Sequence, residues 1–434
     1  MAKFKSGLLL VLVAISVYQA AVLMSGHPAP GLPDPEGNTW FGPAPDLFEA
    51  SLPGRIYVID TGGEMRLVET FSTMYDDLTA TLAQIQYEPG AGGTEWVPGD
   101  YAGEGFPPGV LFRYDYQISR EMLSEWLLMF YETDFPFACI DSIFIPLESG
   151  PVQFINSSTK EVWYLRVSLP RSVIELAATT SRNTISFRWN AMEEGHYFSV
   201  GAGVYDIAGP EVMVVPAWDY DEVNIDAMIQ SFYYLMPSLI QEPDGTKIFT
   251  DGLQALRIYP SGSIEYTYAG SERDTTMPTQ RELAEAALRF TSLHGGWPKN
   301  TLPTELGILP AQNVRLEFSS FGLGLPVTGE AALVMEMAGL TISGYQRNLI
   351  QVRTDVIDGF VEILPLSWHL SNSSTQIEMY LSEGNLEVTD LALVYYLSGE
   401  QLIPAWRIWL GRQEIYVGAA DGRILNVKEP VGGN

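Results

Sequence analysis

Residues Glu242–Tyr268 read EPDGTKIFTDGLQALRIYPSGSIEYTY, the densest alternation of turn and strand signals in the chain. Pro243-Asp244-Gly245 and Pro260-Ser261-Gly262 are turn sequences, because proline presets the first corner and glycine accepts positive φ without steric cost. The segments between them suit short antiparallel strands. A helix to about Leu235 precedes them, with Val223, Met228, Ile229 and Phe232 on one side. Another follows: Thr279 and Glu282 form a T-x-x-E capping box, Leu283, Ala286, Ala287, Phe290 and Leu293 make an apolar stripe, and Gly295-Gly296 stops it. Strands clustered beside segregated helices predict an α+β fold with mainly antiparallel sheets.

Downstream, Val314–Phe321, Ala331–Met337, Ile342–Gln351 and Val361–Leu364 read as a strand meander. The tail repeats the same grammar through Leu391–Leu397, Ile403–Leu410, Glu414–Gly418 and the Asp421-Gly422 turn. Hairpins at 246–268 and 391–425 therefore suggest two related modules, without residue-by-residue identity. Upstream, the strand Arg55–Ile59 leads to a helix over Thr70–Gln86 with Phe71, Met74, Leu78, Leu82 and Ile85 on one face. The strand Val110–Tyr116 follows, then a helix capped by Ser119 with Met122, Leu123, Trp126, Leu127 and Phe130 as its stripe. Strands over Ser142–Ile145, Val162–Ser168, Thr184–Trp189 and Tyr197–Val204 complete this unit. The expected organisation is an N-terminal α+β domain at 51–209, a central one at 210–300 and a C-terminal one at 301–434.

At the N-terminus, Gly7–Met24 reads GLLLVLVAISVYQAAVLM behind a head carrying Lys3 and Lys5, with no acidic residue before Asp34. About 18 uncharged residues at a rise of about 1.5 Å roughly match a bilayer core, which predicts a transmembrane helix over 7–25. The positive-inside rule puts 1–6 in the cytoplasm and the bulk of the chain outside the cell membrane, as a single-pass protein. A cleaved signal peptide is the competing reading, but the apolar run continues past the small pair Ala20-Ala21. The segment 26–50 is a semi-rigid spacer rich in proline (Pro28, Pro30, Pro33, Pro35, Pro43, Pro45). Its Trp40-Phe41 pair either sits at the headgroups or docks on the first domain.

With 24 basic against 53 acidic residues the chain carries a net charge of −29, a field that repels nucleic acid and anionic headgroups. Cys139 is the sole cysteine, which excludes both an intramolecular disulfide and a lipoprotein anchor. Lying in the apolar FPFACIDSIFI, it reads as a buried thiol.

Catalytic motifs are weak. Asp60-Thr61-Gly62 resembles half of an aspartic-protease signature, but Gly63 follows and no second copy occurs; a strand ending in a turn accounts for it. His294-Gly295-Gly296 has no nucleophile elbow to serve and is a helix stop. Gly201-Ala202-Gly203 lacks the third glycine of a dinucleotide loop, with Asp206 in its place. His27, His196, His294 and His369 are scattered without zinc-ligand spacing. Asp219, Asp221, Glu222 and Asp226 suit a helix start better than a calcium loop. Trp406 and Trp409 lie in a strand and read as packing residues. No catalytic residue, metal ligand or cofactor site is expected, and the chain reads as non-enzymatic.

The stretch from Phe232 to Tyr268 resembles the YycH family, membrane-anchored regulators of the essential cell-wall histidine kinase of low-GC Gram-positive bacteria. The matching residues are Phe232, Pro237, Asp244-Gly245, Phe249-Thr250-Asp251-Gly252, Leu256, Tyr259-Pro260, Gly262 and Glu265-Tyr266. The C-terminal Pro404-Ala405-Trp406 and Ala419-Ala420-Asp421-Gly422 look like the strand-turn-strand ending of YycI-like and PepSY-like domains. These are structural residues over less than a tenth of the chain. The resemblance implies association with a sensor histidine kinase and a YycI-like companion through the transmembrane helix. On that helix Gly7, Ala14, Ser16, Ala20 and Ala21 offer small surface and Gln19 a polar one, the features that drive helix packing in lipid; Ala14, Ser16, Gln19 and Ala20 are the candidate partner-binding face. The readings from other classes are an exported, anchored cell-wall hydrolase and a ligand-binding module with a cleft between domains.

Overall fold

In the computed structural model, which describes residues 41–42, 44–84, 86–87, 96–100, 106–127, 135–148, 150–168, 185–189, 199–200, 205–220, 223–233, 235–270, 277–308, 313–329, 333–372, 387–410 and 413–428, the folded part opens with α1 (Leu47–Ala50), capped by Asp46. Then come β1 (Arg55–Ile59), β2 (Met65–Val68), α2 (Thr73–Ala83), β3 (Gln86–Tyr87), β4 (Val97–Asp100), β5 (Gly109–Ser119), α3 (Arg120–Trp126), β6 (Cys139–Pro146), β7 (Val152–Asn156), β8 (Glu161–Leu165), β9 (Val167–Ser168), β10 (Ser186–Trp189), β11 (Ser199–Val200) and β12 (Tyr205–Ile207). The strand β13 (Glu211–Tyr220) and helix α4 (Ile225–Phe232) lead to β14 (Ser238–Gln241), β15 (Lys247–Thr250), β16 (Gln254–Ile258), β17 (Ser263–Tyr268) and α5 (Gln280–Leu293). The rest comprises β18 (Thr301–Ile308), β19 (Asn313–Gly322), β20 (Leu325–Gly329), β21 (Leu333–Ala338), β22 (Thr341–Asn348), β23 (Ile350–Ile363), α6 (Leu366–Asn372), β24 (Glu387–Ser398), β25 (Gln401–Leu410), β26 (Gln413–Gly418) and β27 (Ile424–Lys428).

The fold is mixed α+β with few helices and mostly antiparallel sheets; β11 and β20 pair with β24 in parallel. A nine-stranded sheet runs β12-β10-β2-β1-β5-β6-β7-β8-β4, and a fourteen-stranded sheet runs from β14 through β17, β22 and β19 to β27. Pairing of β17 with β22 carries the second sheet unbroken across residue 300. A separate ribbon, β13 with β23, lies against both sheets.

The unbroken run Arg55–Ile59 is explained by burial on both faces. Alternate residues of a strand point to opposite sides; Ile56 and Val58 face a core with Leu78 and Leu82 of α2 and Leu123 of α3, while Tyr57 and Ile59 face a core shared with the second sheet. That shared core joins Leu111 and Phe144 to Leu391, Leu393, Trp406, Ile408 and Ile415, so the C-terminal strands pack against the N-terminal sheet. A third core lies between α5 and its sheet, with Leu283, Ala287 and Phe290 over Tyr266, Met335 and Tyr345.

The spanning helix expected over 7–25 lies outside the described residues; among those described, no helix is long and apolar enough to cross a membrane. The capping box of α5 forms as read, with Thr279 Oγ1 accepting from the Glu282 N–H and Glu282 Oε2 accepting from the Thr279 N–H. Phe41 packs not on the first domain but beside Gly296 at the end of α5.

Candidate functional site

Two features on the second sheet face outward. The first is its edge. Among the described strands β14 pairs with β15 alone, and all four of its residues are exposed. Leu239 and Ile240 on it, Leu235 and Met236 just before it and Leu253 after β15 are exposed apolar residues, Met236 at 96 %. Such an edge presents backbone donors and acceptors to a further strand. Exposed acidic residues Glu242, Asp244 and Asp251 flank it. The backbone N–H and hydroxyl of Thr246 hold the Asp244 carboxyl below its usual range, so it stays charged.

The second feature is a cavity of about 310 Å³ where the start of α4, the loop after α5 and the junction of β22 with β23 converge. Phe41 and Trp297 give it apolar walls, Arg347 and Lys299 give it charge, and Asn224 and Gln351 add amides. Arg347 is 2 % exposed and its Nη1 donates to the Gly296 carbonyl at 2.7 Å. Glycine is required beside it: a Cβ on Gly295 would stand 3.0 Å from Nη1 of Arg347, and φ there is +115°. At Gly296, where φ is +81°, a Cβ would stand 2.9 Å from the Phe41 carbonyl oxygen. The sequence feature read as a helix stop is thus also what lets a guanidinium and the spacer approach the same loop. Among the described residues lining the cavity, none is acidic.

Elsewhere two clusters of titratable groups are interior and paired. On the nine-stranded sheet Arg55 and Arg113 stand directly opposite each other in register, an arrangement that needs countercharge. Asp390 of β24 supplies it, 2.6 Å from Arg113 and 3.3 Å from Arg55, and Asp115 also pairs with Arg55. On the other sheet Glu305 and Glu317 are register opposites held by Lys428 Nζ at 3.1 and 2.8 Å, while Arg407 pairs with Glu414 and lies over the Trp409 ring. Burial raises the Glu317 pKa, but Lys428 and Arg407 outweigh it and bring it to about 2. Asp206 accepts from the N–H groups of Leu366 and Ser367, capping α6 from a different sheet, and burial raises its pKa.

The expected partner face, Ala14, Ser16, Gln19 and Ala20, lies outside the described residues, as do His27, His196 and Gly201-Ala202-Gly203. Asp60 forms a turn, its Oδ1 accepting from the N–H of Gly62 and Glu64. Asp219 is next to last in β13, and the helix after it is capped by Asn224; Asp221 and Glu222 lie outside the described residues. His294 is buried between Phe232 and Phe290, and His369 bonds the Ala419 carbonyl. Among the described residues no group of three metal-ligating side chains comes together. Cys139 is half-buried, its Sγ donating to Gln117 Oε1 at 3.1 Å, and burial raises its pKa, so it stays a thiol. Trp406 is fully buried, donating to the Leu364 carbonyl. The cavity escaped sequence reading as a site because its residues come from six separate segments and share no motif. The run Leu235-Met236-Pro237-Ser238-Leu239-Ile240 does carry a signal of the edge, an apolar stretch stripped of helical spacing by proline.

No protein-family model matches the sequence, and no curated protein matches it. Among solved structures the chain is similar to YycH from Bacillus subtilis at 15 % identity, covering 88 % of this chain and 97 % of that one, with a TM-score of 0.64. An uncharacterised protein from Eubacterium rectale (13 % identity, 54 % of this chain, 89 % of that one, TM-score 0.32) and the YpeB C-terminal domain of Bacillus megaterium (10 % identity, 50 % and 88 %, TM-score 0.27) also align. The likeness to YycH spans nearly the whole of both chains, and what it establishes for this one is a YycH-like fold.

Proposed function

We propose that this chain is a non-enzymatic regulator of a sensor histidine kinase in a two-component system controlling cell-wall metabolism. In this reading it is held at the cell membrane by its N-terminal helix, with the bulk of the chain outside the cell. The observation that carries the proposal is the YycH-like fold extending over 88 % of the chain. The exposed apolar edge at β14 supports a protein-binding role, since the open side of an edge strand is a template for another chain. Contact with the kinase and a YycI-like companion runs chiefly through the spanning helix, where small residues and Gln19 allow close packing.

The test is detergent co-purification of the full-length chain with the cell-wall sensor kinase of its own organism. A version with residues 7–24 replaced by an unrelated spanning helix serves as the comparison. Recovery with the native helix alone supports the proposal, and recovery with neither sinks it. Gln19→Leu is expected to weaken recovery.

A further inference from the structure

We propose that the open side of β14 docks an extended protein segment, which adds to the sheet as a strand and carries a short apolar centre between basic residues. Such docking gives a partner chemistry to the protein-binding role of this edge, and it rests on the reading of the chain as a protein-binding regulator. Bare edge strands invite pairing with foreign chains, and proteins cover them or place charge or proline in them. Of the strands that end the two large sheets, β12 is buried against β24, β4 carries Pro98, and Lys428 pins β27 to Glu305 and Glu317. None of these guards is present on β14. Its residues Ser238-Leu239-Ile240-Gln241 hold no charge and no proline, and all are exposed.

The backbone of this strand is aimed outward at two residues. Bonded and non-bonded pairs alternate along an antiparallel hairpin. The Glu242 N–H donates to the Thr246 carbonyl, and the pairs Ile240↔Ile248 and Ser238↔Thr250 follow it at steps of two. Leu239 and Gln241 therefore turn their N–H and C=O groups away from β15, where an incoming strand can pair with both. Pro237 has no N–H to offer and limits that ladder at its start.

Side chains and charge select the incoming segment. Leu239 lies on the side of Phe249 and Ile240 on the side of Ile248, so the strand shows an exposed apolar residue on each face. Consecutive apolar residues of the partner would each meet one of them. Glu242 and Asp244 stand exposed at one end of the strand, and Asp251, next to the Thr250 that opposes Ser238, at the other. Lys247 is the one basic residue between positions 235 and 253. Basic residues on either side of an apolar centre fit that distribution. A second copy of this chain fits it poorly, because it would bring the same acids and the same net charge of −29.

The experiment is calorimetric titration of the full-length chain in mild detergent with a capped peptide that has Val-Ile-Val at its centre and Thr-Arg-Lys on either side. One control replaces its arginines and lysines by glutamates. The other is N-methylated on the three central backbone amides, which keeps the charge but removes the donors of a strand. Saturable binding of the basic peptide is expected, with both controls about tenfold weaker or more. Ile240→Lys sets a cation against the basic segment, and Gln241→Pro removes an outward N–H that the hairpin itself does not use. Each is expected to weaken binding about tenfold, with the unfolding midpoint near that of the parent. Absence of saturable binding, equal binding of the acidic or the N-methylated peptide, or an unaltered affinity in Ile240→Lys overturns the proposal. So does a concentration-dependent dimer in sedimentation that Ile240→Lys abolishes, because a second copy would then be the occupant. Loss of peptide binding with co-purification intact sinks the docking site alone. Failed co-purification with peptide binding intact sinks the kinase reading and leaves the edge serving another protein.

Discussion

Asp390 shows what a single side chain holds in this molecule. It lies on β24 yet neutralises Arg55 and Arg113, two register-opposed cations of the other sheet, across sequence separations of 335 and 277 residues. Removing one member of a buried ion cluster leaves charge uncompensated, so Asp390→Ala is expected to destabilise the fold by about 3 kcal/mol in denaturant titration. A loss below about 0.5 kcal/mol, the range of an ordinary surface change, would place the pairing in water. Nothing local in the sequence marks this residue, because a charge cluster assembled from three strands has no spacing to read. His294 is a second case. Burial between Phe232 and Phe290 lowers its pKa to about 3 from 6.5. A depressed pKa means that the unfolded chain binds the proton first, so the stability is fully present above about pH 6.5 and is lost as pH falls toward 3. Glu317, lowered to about 2 from 4.5, adds a loss of the same sign between those values. Raised Asp141, Asp206 and Glu305 work in the opposite direction. His294→Phe is expected to flatten the part of the stability profile between pH 6.5 and 4.5; an unchanged slope there would assign it to other groups.

Helix starts are the elements that were most legible, because their signals are local. Ser119 and Thr279, the two caps read from sequence, each accept from a backbone N–H three residues on; Ser72 and Asn224 do the same for α2 and α4, although the sequence reading starts α2 at Thr70 and assigns α4 no cap. Thr279→Ala is expected to cost about 1 kcal/mol in thermal or chemical unfolding, the usual value of an N-cap. Ser124→Ala, inside α3 with its hydroxyl turned to its own helix, is a control that should cost less. Strand extents were less legible. β23 runs from Ile350 to Ile363, where Val361–Leu364 and only the last two residues of Ile342–Gln351 read as strand, and its partner β13 spans Glu211–Tyr220. The added residues include Arg353, which pairs with Ala217 of β13, and Asp355 and Asp358, which fall at the register shifts of that ladder; mostly exposed, they follow no apolar alternation. The edge strand β14 makes the complementary case, since its apolar residues are not buried at all. Ile240→Lys should therefore leave stability within about 0.5 kcal/mol of the parent, as a surface change does. A loss of 2 kcal/mol or more would show that the edge is covered within the chain itself.

At the scale of the whole molecule, sequence reading recovers the α+β class and the antiparallel hairpins but not how the sheets combine. Turn chemistry at Pro243-Asp244-Gly245 is visible in any window, whereas the packing of Tyr57 and Leu111 on Leu393 and Trp406 joins positions about 300 apart. One core is shared between what reads as successive units, since residues of the N-terminal sheet, the ribbon and the C-terminal strands contribute to it together, beside the separate cores under α2 and α3 and under α5. Asp206 capping α6 and Gln280 of α5 bridge the units as well; the Gln280 amide accepts from the Ser119 N–H at 2.6 Å and donates to the Gln117 carbonyl at 2.8 Å. If each unit folded on its own core, calorimetry would resolve separate transitions. A shared core forbids that, because unfolding any one unit strips the apolar cover from the others, so one cooperative transition is expected for the folded part of the chain. Asp390→Ala should lower its midpoint without splitting it, since the aromatic and aliphatic contacts of the shared core remain. Two resolved endotherms in the parent protein would mean that the sheets contribute little to each other, and splitting in the variant alone would mean that the ion cluster, and not the apolar core, couples them.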